Sequence, residues 1–281
     1  MEAEPKVEPP SDQWADKAWT MLTTVRRQSP LIQCITNFVS MDLMANTLLS
    51  AGASPAMLHT LEEIPHFTPN VHALCLNVGT LSADWLPSMK AAANFASNSS
   101  KPWVLDPVAA GASGFRLNAC LELIQLKPTV IRGNGSEILA LSKASVQPTK
   151  GVDSSHESTD AIEAAKSLAQ ATGAIVAVSG AIDIVTDGKR VIGAHNGVAM
   201  MQKITATGCS VTALIAAFVA VDPSNAFEAT ALALSVFGVA GEMGMRLAKG
   251  PASLRMHLID SLYGLDEATL ISHVKITTFC D

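Results

Sequence analysis

Charge is scarce in this chain of 281 residues: Asp, Glu, Lys and Arg together make up 16%, against about 25% in an average soluble domain. Lys and Arg number 19 and Asp and Glu 25, for a formal net charge of −6. No basic run breaks that balance, which argues against a general nucleic-acid surface. The five cysteines are dispersed and form no CxxC pair, so neither a disulfide framework nor a structural zinc site is expected, and a reducing compartment fits. The seven histidines show no metal-ligand spacing and read as surface or loop residues. A Gly-x-x-x-x-Gly-Lys-Ser/Thr phosphate loop is missing, and so is any Ser–His–Asp arrangement. No apolar run is expected to span a membrane. The opening MEAEPKVEPP is acidic and proline-rich, unlike a signal or transit peptide. Residues 1–10 are expected to be a disordered arm, residues 11–281 a single domain, and the location cytoplasmic.

What is present is hydrophobic: 48% of the residues. So little charge beside so much apolar surface implies association into an oligomer, or a deeply buried core. Short apolar runs without clean alternation recur at Leu31–Ile35, Ala73–Val78, Trp103–Leu105, Thr129–Ile131 and Ala174–Val178. Such runs suit strands covered on both faces. Helical patterns begin at Ser11 or Asp12 and at Met41, and lie near 84–98, 116–126, 135–142 and 159–171. Strand and helix in alternation predict an α/β fold with a mainly parallel sheet. Ile182–Thr186, Asp187–Gly188 and the run from Arg190 predict a hairpin. Ala- and Leu-rich helices then follow near 208–221, 225–248 and 254–262. The stretch Ser145–Ser158 is the most loop-like inside the chain, but too short to divide it.

Chemistry gathers where strands end, the place where open parallel sheets bind ligands. Thr205-Ala206-Thr207-Gly208-Cys209-Ser210 enters a helix as a small-residue loop, so several free N–H groups and the helix dipole can face an anion. Cys209 lies in the first turn, where a thiolate is favoured. Asp106 closes an apolar strand ahead of Pro107 and could hold a cation or serve a turn. Ile131-Arg132-Gly133-Asn134-Gly135-Ser136-Glu137 admits two readings. Asn134 and Glu137 have capping-box spacing, while Arg132 can pair with phosphate and Glu137 can join a hard cation. Val178-Ser179-Gly180 and Asn77-Val78-Gly79-Thr80 are two further strand ends with hydroxyls and flexible backbone.

Those segments, with Cys34-Ile35-Thr36-Asn37-Phe38-Val39 and Gly52-Ala53-Ser54-Pro55-Ala56-Met57, resemble the hydroxyethylthiazole kinase family in its own order, from about Ser29 to Leu265. The resemblance implies a ribokinase-like three-layer α/β/α sandwich and a homotrimer with interfacial active sites. It also implies ATP- and Mg²⁺-dependent phosphorylation of 4-methyl-5-(2-hydroxyethyl)thiazole in thiamine salvage. Carried over by position, Asn37, Met57, Gly79, Thr80 and Ala206 face the thiazole. Arg132, Asn134, Ser179 and Gly180 face ATP, and Asp106 and Glu137 stand by Mg²⁺. Ala206, Thr207, Gly208 and Cys209 form the anion hole, with Cys209 where related kinases carry an aspartate base. Ala206 departs from the family, which usually has glycine there; a positive φ at that position would strain alanine by about 1 kcal/mol or more. Alternatives from the same fold are a pyrimidine or pyridoxal kinase and a hydrate-repair lyase, and a noncatalytic metabolite-binding homologue is a third.

Overall fold

The computed structural model describes residues 6–7, 12–145 and 157–280. Apart from Lys6 and Val7, the expected arm of residues 1–10 lies outside the described residues, as does most of Ser145–Ser158.

The strands are β1 (Lys6–Val7), β2 (Leu31–Ile35), β3 (Ser54–Ala56), β4 (Ala73–Asn77), β5 (Trp103–Asp106), β6 (Val130–Asn134), β7 (Ile175–Ser179), β8 (Asp183–Thr186), β9 (Val191–Ala194) and β10 (Ile276–Cys280). They form one sheet in the order β1-β10-β9-β8-β7-β6-β5-β4-β2-β3. Pairing is parallel from β3 through β7 and antiparallel from β7 through β1. The helices are α1 (Asp12–Gln28), α2 (Met41–Ala51), α3 (Ile64–Phe67), α4 (Trp85–Asn98), α5 (Gly114–Ile124), α6 (Gly135–Ser145), α7 (Glu157–Thr172), α8 (Thr207–Val221), α9 (Ala226–Met245), α10 (Pro251–Gly264) and α11 (Glu267–His273).

The period-2 geometry of the strands explains the three layers. Cys75 of β4, Val104 of β5, Val130 of β6 and Ala177 of β7 point to one face and pack with α1, α2, α8 and α9. Their neighbours Leu76, Leu105, Ile131 and Val176 point to the other face and pack with α4, α5, α6 and α7. Every second residue thus meets a helical layer on either side, which is why the strands read as continuous apolar runs. The expected α/β/α sandwich is formed.

Several elements differ from the sequence reading, which contains no β1, α3 or α11. β3 is an edge strand of three residues carrying Pro55, a residue an edge tolerates because only one side of the strand needs its N–H groups. β10 mixes Thr with apolar residues, so no apolar run announces it. β6 continues past Ile131 to Asn134, which places Arg132 inside the strand. In addition, Pro223–Met245 is 23 residues long with mean hydropathy 1.3, long and apolar enough to cross a membrane, contrary to the expectation of no such run. Of its 18-residue apolar window, 78% is buried inside the protein, as in a core helix, and its Glu228 pairs with Lys17 at 2.8 Å.

Candidate active site

The parallel pairing sets the carboxyl ends of β2, β4, β5, β6 and β7 side by side. Asn77 and Asp106 are register partners at the ends of β4 and β5, and Asn134 pairs with Ser179 at the ends of β6 and β7. A directional hydrogen-bond chain runs through the buried end of this row. Asn37 Nδ2 donates to Asn77 Oδ1 at 2.8 Å, and Asn77 Nδ2 donates to Asp106 Oδ2 at 2.7 Å. Asn37 Nδ2 also points at Cys209 Sγ, 3.5 Å away. Thr212 Oγ1, one turn along α8, donates to the same Asp106 oxygen at 3.0 Å. Asn37 is fixed in turn by Val39 N and Ser40 N, both 3.0 Å from its Oδ1.

Facing this row, α8 begins at Thr207 with Ala206 as its N-cap, at φ 69° and ψ 5°. The left-handed conformation is real at this position, so the alanine carries the strain expected of a non-glycine residue there. Thr80 (φ 44°) and Ala109 (φ 55°) are left-handed at neighbouring strand ends; strained backbone of this kind concentrates at functional sites. The first N–H groups of α8 have no intrahelical partner and form a concentrated donor set. Gly208 lies beside the Arg132 guanidinium, and Arg132 Nη2 donates to Ser179 Oγ. Arg132 Nε is buried without a partner among the described residues.

Two carboxylates differ in their commitments. Glu137 accepts from Ala109 N at 2.8 Å through Oε1 and from Asn134 N at 2.7 Å through Oε2. Asn134 Oδ1 accepts from Glu137 N at 3.0 Å, so the capping box is made and Asn134's side chain serves it. Asp106 receives its side-chain hydrogen bonds on Oδ2, leaving Oδ1 with no partner among the described residues. Burial pushes the Asp106 carboxyl up to about 6, with the nearby Glu137 charge adding to the rise. Arg132 and the hydrogen bonds from Thr212 and Asn77 oppose it. Burial also raises the Cys209 thiol, and the Asp106 charge raises it further. The Asn37 and Asn77 hydrogen bonds and Arg132 pull the other way without reversing the shift. The thiolate expected from the helix N-terminus is therefore disfavoured, because desolvation outweighs the donors.

On the other side of Gly208 a cleft of about 320 Å³ opens between Arg132, Ser179, Gly180 and Asp183 and the segment Asn196–Gln202, with Leu234 and Phe237 of α9 as its floor. Thr207 and Gly208 line it. Gly180 N donates to Asp183 Oδ1 at 3.0 Å.

Residues 22–268 match the hydroxyethylthiazole kinase family. A hydroxyethylthiazole kinase from Arabidopsis thaliana is 71% identical over 95% of this chain and 96% of its own. One from Cereibacter sphaeroides is 50% identical over 91% and 96%. The chain belongs to the hydroxyethylthiazole kinase family. The solved hydroxyethylthiazole kinase of Pyrococcus horikoshii superposes with a TM-score of 0.88 at 37% identity, over 94% of this chain and all of the other. A Bacillus subtilis pyridoxal kinase, at 18% identity and TM-score 0.57, shares the fold.

Within this family member, the structure brings Asn37, Asp106, Arg132, Glu137, Ser179 and the Ala206–Cys209 turn to one sheet edge. Gly79 and Thr80 border the cluster: Gly79 N donates to Asn77 Oδ1 at 2.9 Å, and Phe38 N donates to Thr80 Oγ1 at 3.2 Å. Met57 is not brought into the hydrogen-bonded cluster. It follows the edge strand β3 and is half-buried against the core cluster to which α1, α2, α8 and α9 contribute. Sequence reasoning passed over Asn77 as a hub, Thr212 and Asp183. Thr212 had a signal, being a polar residue one turn after Gly208 in an otherwise apolar helix. Asp183 had none, since it reads as the start of a hairpin strand.

Proposed function

We propose that this protein transfers the γ-phosphoryl group of ATP to the hydroxyl of 4-methyl-5-(2-hydroxyethyl)thiazole, as a Mg²⁺-dependent kinase of thiamine salvage. The observation that carries the reading is the pairing of the α8 N-terminus with Arg132 across Gly208, beside a buried carboxylate. Phosphoryl transfer is mainly a matter of position and charge neutralisation, and these groups supply both.

The cleft would take ATP, with Arg132 and Ser179 at its phosphates; the unpartnered Arg132 Nε fits an anionic ligand. The alcohol would lie by Asn37, Gly79, Thr80 and Ala206. Its oxygen attacks the γ-phosphorus, the bond to the β-phosphate oxygen breaks, and ADP leaves. The N–H groups of Thr207, Gly208 and Cys209 receive charge developing on the transferred oxygens. Cys209, held as a thiol, orients the hydroxyl; a loose transition state needs little base, and the hydroxyl proton passes to the transferred phosphoryl group. Asp106 fits a Mg²⁺ site, since one carboxylate oxygen is uncommitted and Mg²⁺ binds through one or two carboxylates plus waters and phosphates. Glu137, with both oxygens engaged, fits through water. Held by Asp106 and Glu137, Mg²⁺ would supply positive charge to offset that of the phosphates.

Met57 at an edge strand points to an interface, and we propose a homotrimer in which partners complete the thiazole pocket. Exposed Phe38, Val39, Leu49 and Leu61 flank β2 and β3 and suit such a contact. Buried unpaired Cys34, Cys75 and Cys120 fit the reducing cytoplasm.

An ADP-release assay with ATP and Mg²⁺, comparing hydroxyethylthiazole, hydroxymethylpyrimidine and pyridoxal, tests the reading. Turnover confined to the thiazole and abolished by EDTA is expected. Turnover on another alcohol, or none from folded protein, overturns it.

A further inference from the structure

The cleft that we assign to ATP has an unusual distribution of polar side chains. Six of its lining residues carry them: Arg132, Ser179, Asp183, Asn196, Gln202 and Thr207. Arg132 and Ser179 are bonded to each other at the phosphate end. Asp183 holds Gly180 N and lies in the field of Arg132. Thr207 Oγ1 is 3.1 Å from both Met201 O and Ile204 O, closing the turn that feeds α8.

Asn196 looks at first like a reader of a nucleobase edge, since an amide can donate and accept together. Its capacity is already filled. Nδ2 donates to Glu242 Oε1 at 3.1 Å and to His273 O at 2.7 Å. Oδ1 accepts from Ser235 Oγ at 2.5 Å and from Lys275 N at 2.9 Å. Two donors and two acceptor sites are all that the side chain has. Glu242 Oε1 also takes Gly197 N at 2.9 Å, so the amide and the carboxylate together bolt the segment after β9 onto α9 and α11. Asn196 is thus a positioning residue for the wall.

The remaining wall is apolar, made by Val198, Met201, Val211, Leu234 and Phe237. Gln202 is the one polar side chain of the cleft without a hydrogen bond among the described residues, and it is exposed. Apolar contact distinguishes poorly between flat heterocycles of similar size, whereas a site built to hydrogen-bond an edge rejects the wrong edge by factors of about 10⁴–10⁵.

We infer that this kinase holds its co-substrate by the phosphates and by apolar packing of the base, and accepts nucleoside triphosphates with little regard to the base edge. The inference rests on the cleft being the nucleotide site. The thiazole alcohol as acceptor and the direction of transfer are unchanged: any of these triphosphates loses its γ-phosphoryl group and leaves as the diphosphate.

The test measures kcat/KM for ATP, GTP, ITP, CTP and UTP with Mg²⁺ and saturating hydroxyethylthiazole, following thiazole phosphate directly. GTP and ITP are expected within about 200-fold of ATP, the range of apolar discrimination, with the pyrimidines lower because they fill less of the wall. Rejection of GTP or ITP by more than that overturns the inference while leaving the kinase reading intact. In Gln202→Ala the ATP to GTP ratio should move by less than about threefold; a larger shift makes Gln202 a base reader and also overturns it. If no triphosphate is consumed, the kinase reading fails. Calorimetry with ADP, GDP and IDP then decides the base question alone, similar affinities supporting it and selective binding of ADP refuting it.

Discussion

Gly208 lies so close to Arg132 that a Cβ at 208 would come within 2.8 Å of Arg132 Nη1. The glycine is needed here for close approach, since its φ is not among the positive values. Gly208→Ala should help the helix intrinsically by up to about 1 kcal/mol while forcing the guanidinium aside. Loss of one charged hydrogen-bond partner at the phosphates is worth about 1.5–3 kcal/mol, so kcat/KM for ATP should fall roughly 10–100-fold with no loss of melting temperature. Steady-state kinetics beside a thermal melt checks both halves; unchanged kinetics would detach Arg132 from the nucleotide.

Ala206 presents the opposite case, a side chain where glycine would be easier. Its φ of 69° costs an L-residue about 1–2 kcal/mol, offset in part by the greater unfolded-state entropy of glycine. Ala206→Gly should therefore stabilise the protein by about 0.5–1 kcal/mol. Urea unfolding at matched m-values measures it. Ala206→Val, branched at Cβ, should destabilise and reduce thiazole turnover.

The layers of this fold are legible in the sequence because both faces of the central strands are covered, so Ala73–Val78 and Ala174–Val178 stand out as apolar runs. Asp106 stands out where an apolar strand stops, and the Thr205–Ser210 loop where an apolar helix begins. The short edge strand Ser54–Ala56 does not, since three residues with a proline carry no periodicity. Asn77 was noticed only as a strand end; its contact with Asp106 comes from strand order, which no local pattern encodes. The direction of the Cys209 shift is likewise tertiary. The helix start argues for a thiolate, and only the packing around it shows that desolvation prevails.

That shift makes a chemical prediction. A thiol held above its ordinary range contains less thiolate at neutral pH than a free cysteine, and the thiolate is the nucleophile. Cys209 is half-buried, while Cys34, Cys75 and Cys120 are fully buried. Iodoacetamide should alkylate Cys209 more slowly than a model thiol at pH 7.5, with a rate still climbing above pH 9. Peptide mass spectrometry over a pH series reads it. Fast labelling at pH 7 would restore the thiolate and with it a general-base role for Cys209.

Asp106 gives the clearest link between the site and stability. Its carboxyl is raised from 3.8 to about 6, burial being the main cause. Below the unfolded value the group is neutral in both states and costs nothing. Between the two values the unfolded chain ionises while the folded site keeps its proton, so stability falls as pH rises. Above about 6 the full penalty is present, on the order of 2–3 kcal/mol at 1.36 kcal/mol per pH unit. Asp106→Asn retains an oxygen acceptor for Asn77 and Thr212 and cannot ionise. Denaturant unfolding without nucleotide and with EDTA should therefore show the variant gaining on the wild type from pH 4 to pH 7.5 by that amount. The same substitution should lower thiazole phosphorylation by at least about 100-fold, comparable to loss of a strong transition-state electrostatic contact. A variant that is less stable than wild type at pH 7.5 would show that the Asp106 charge is better compensated by Arg132 than its burial allows.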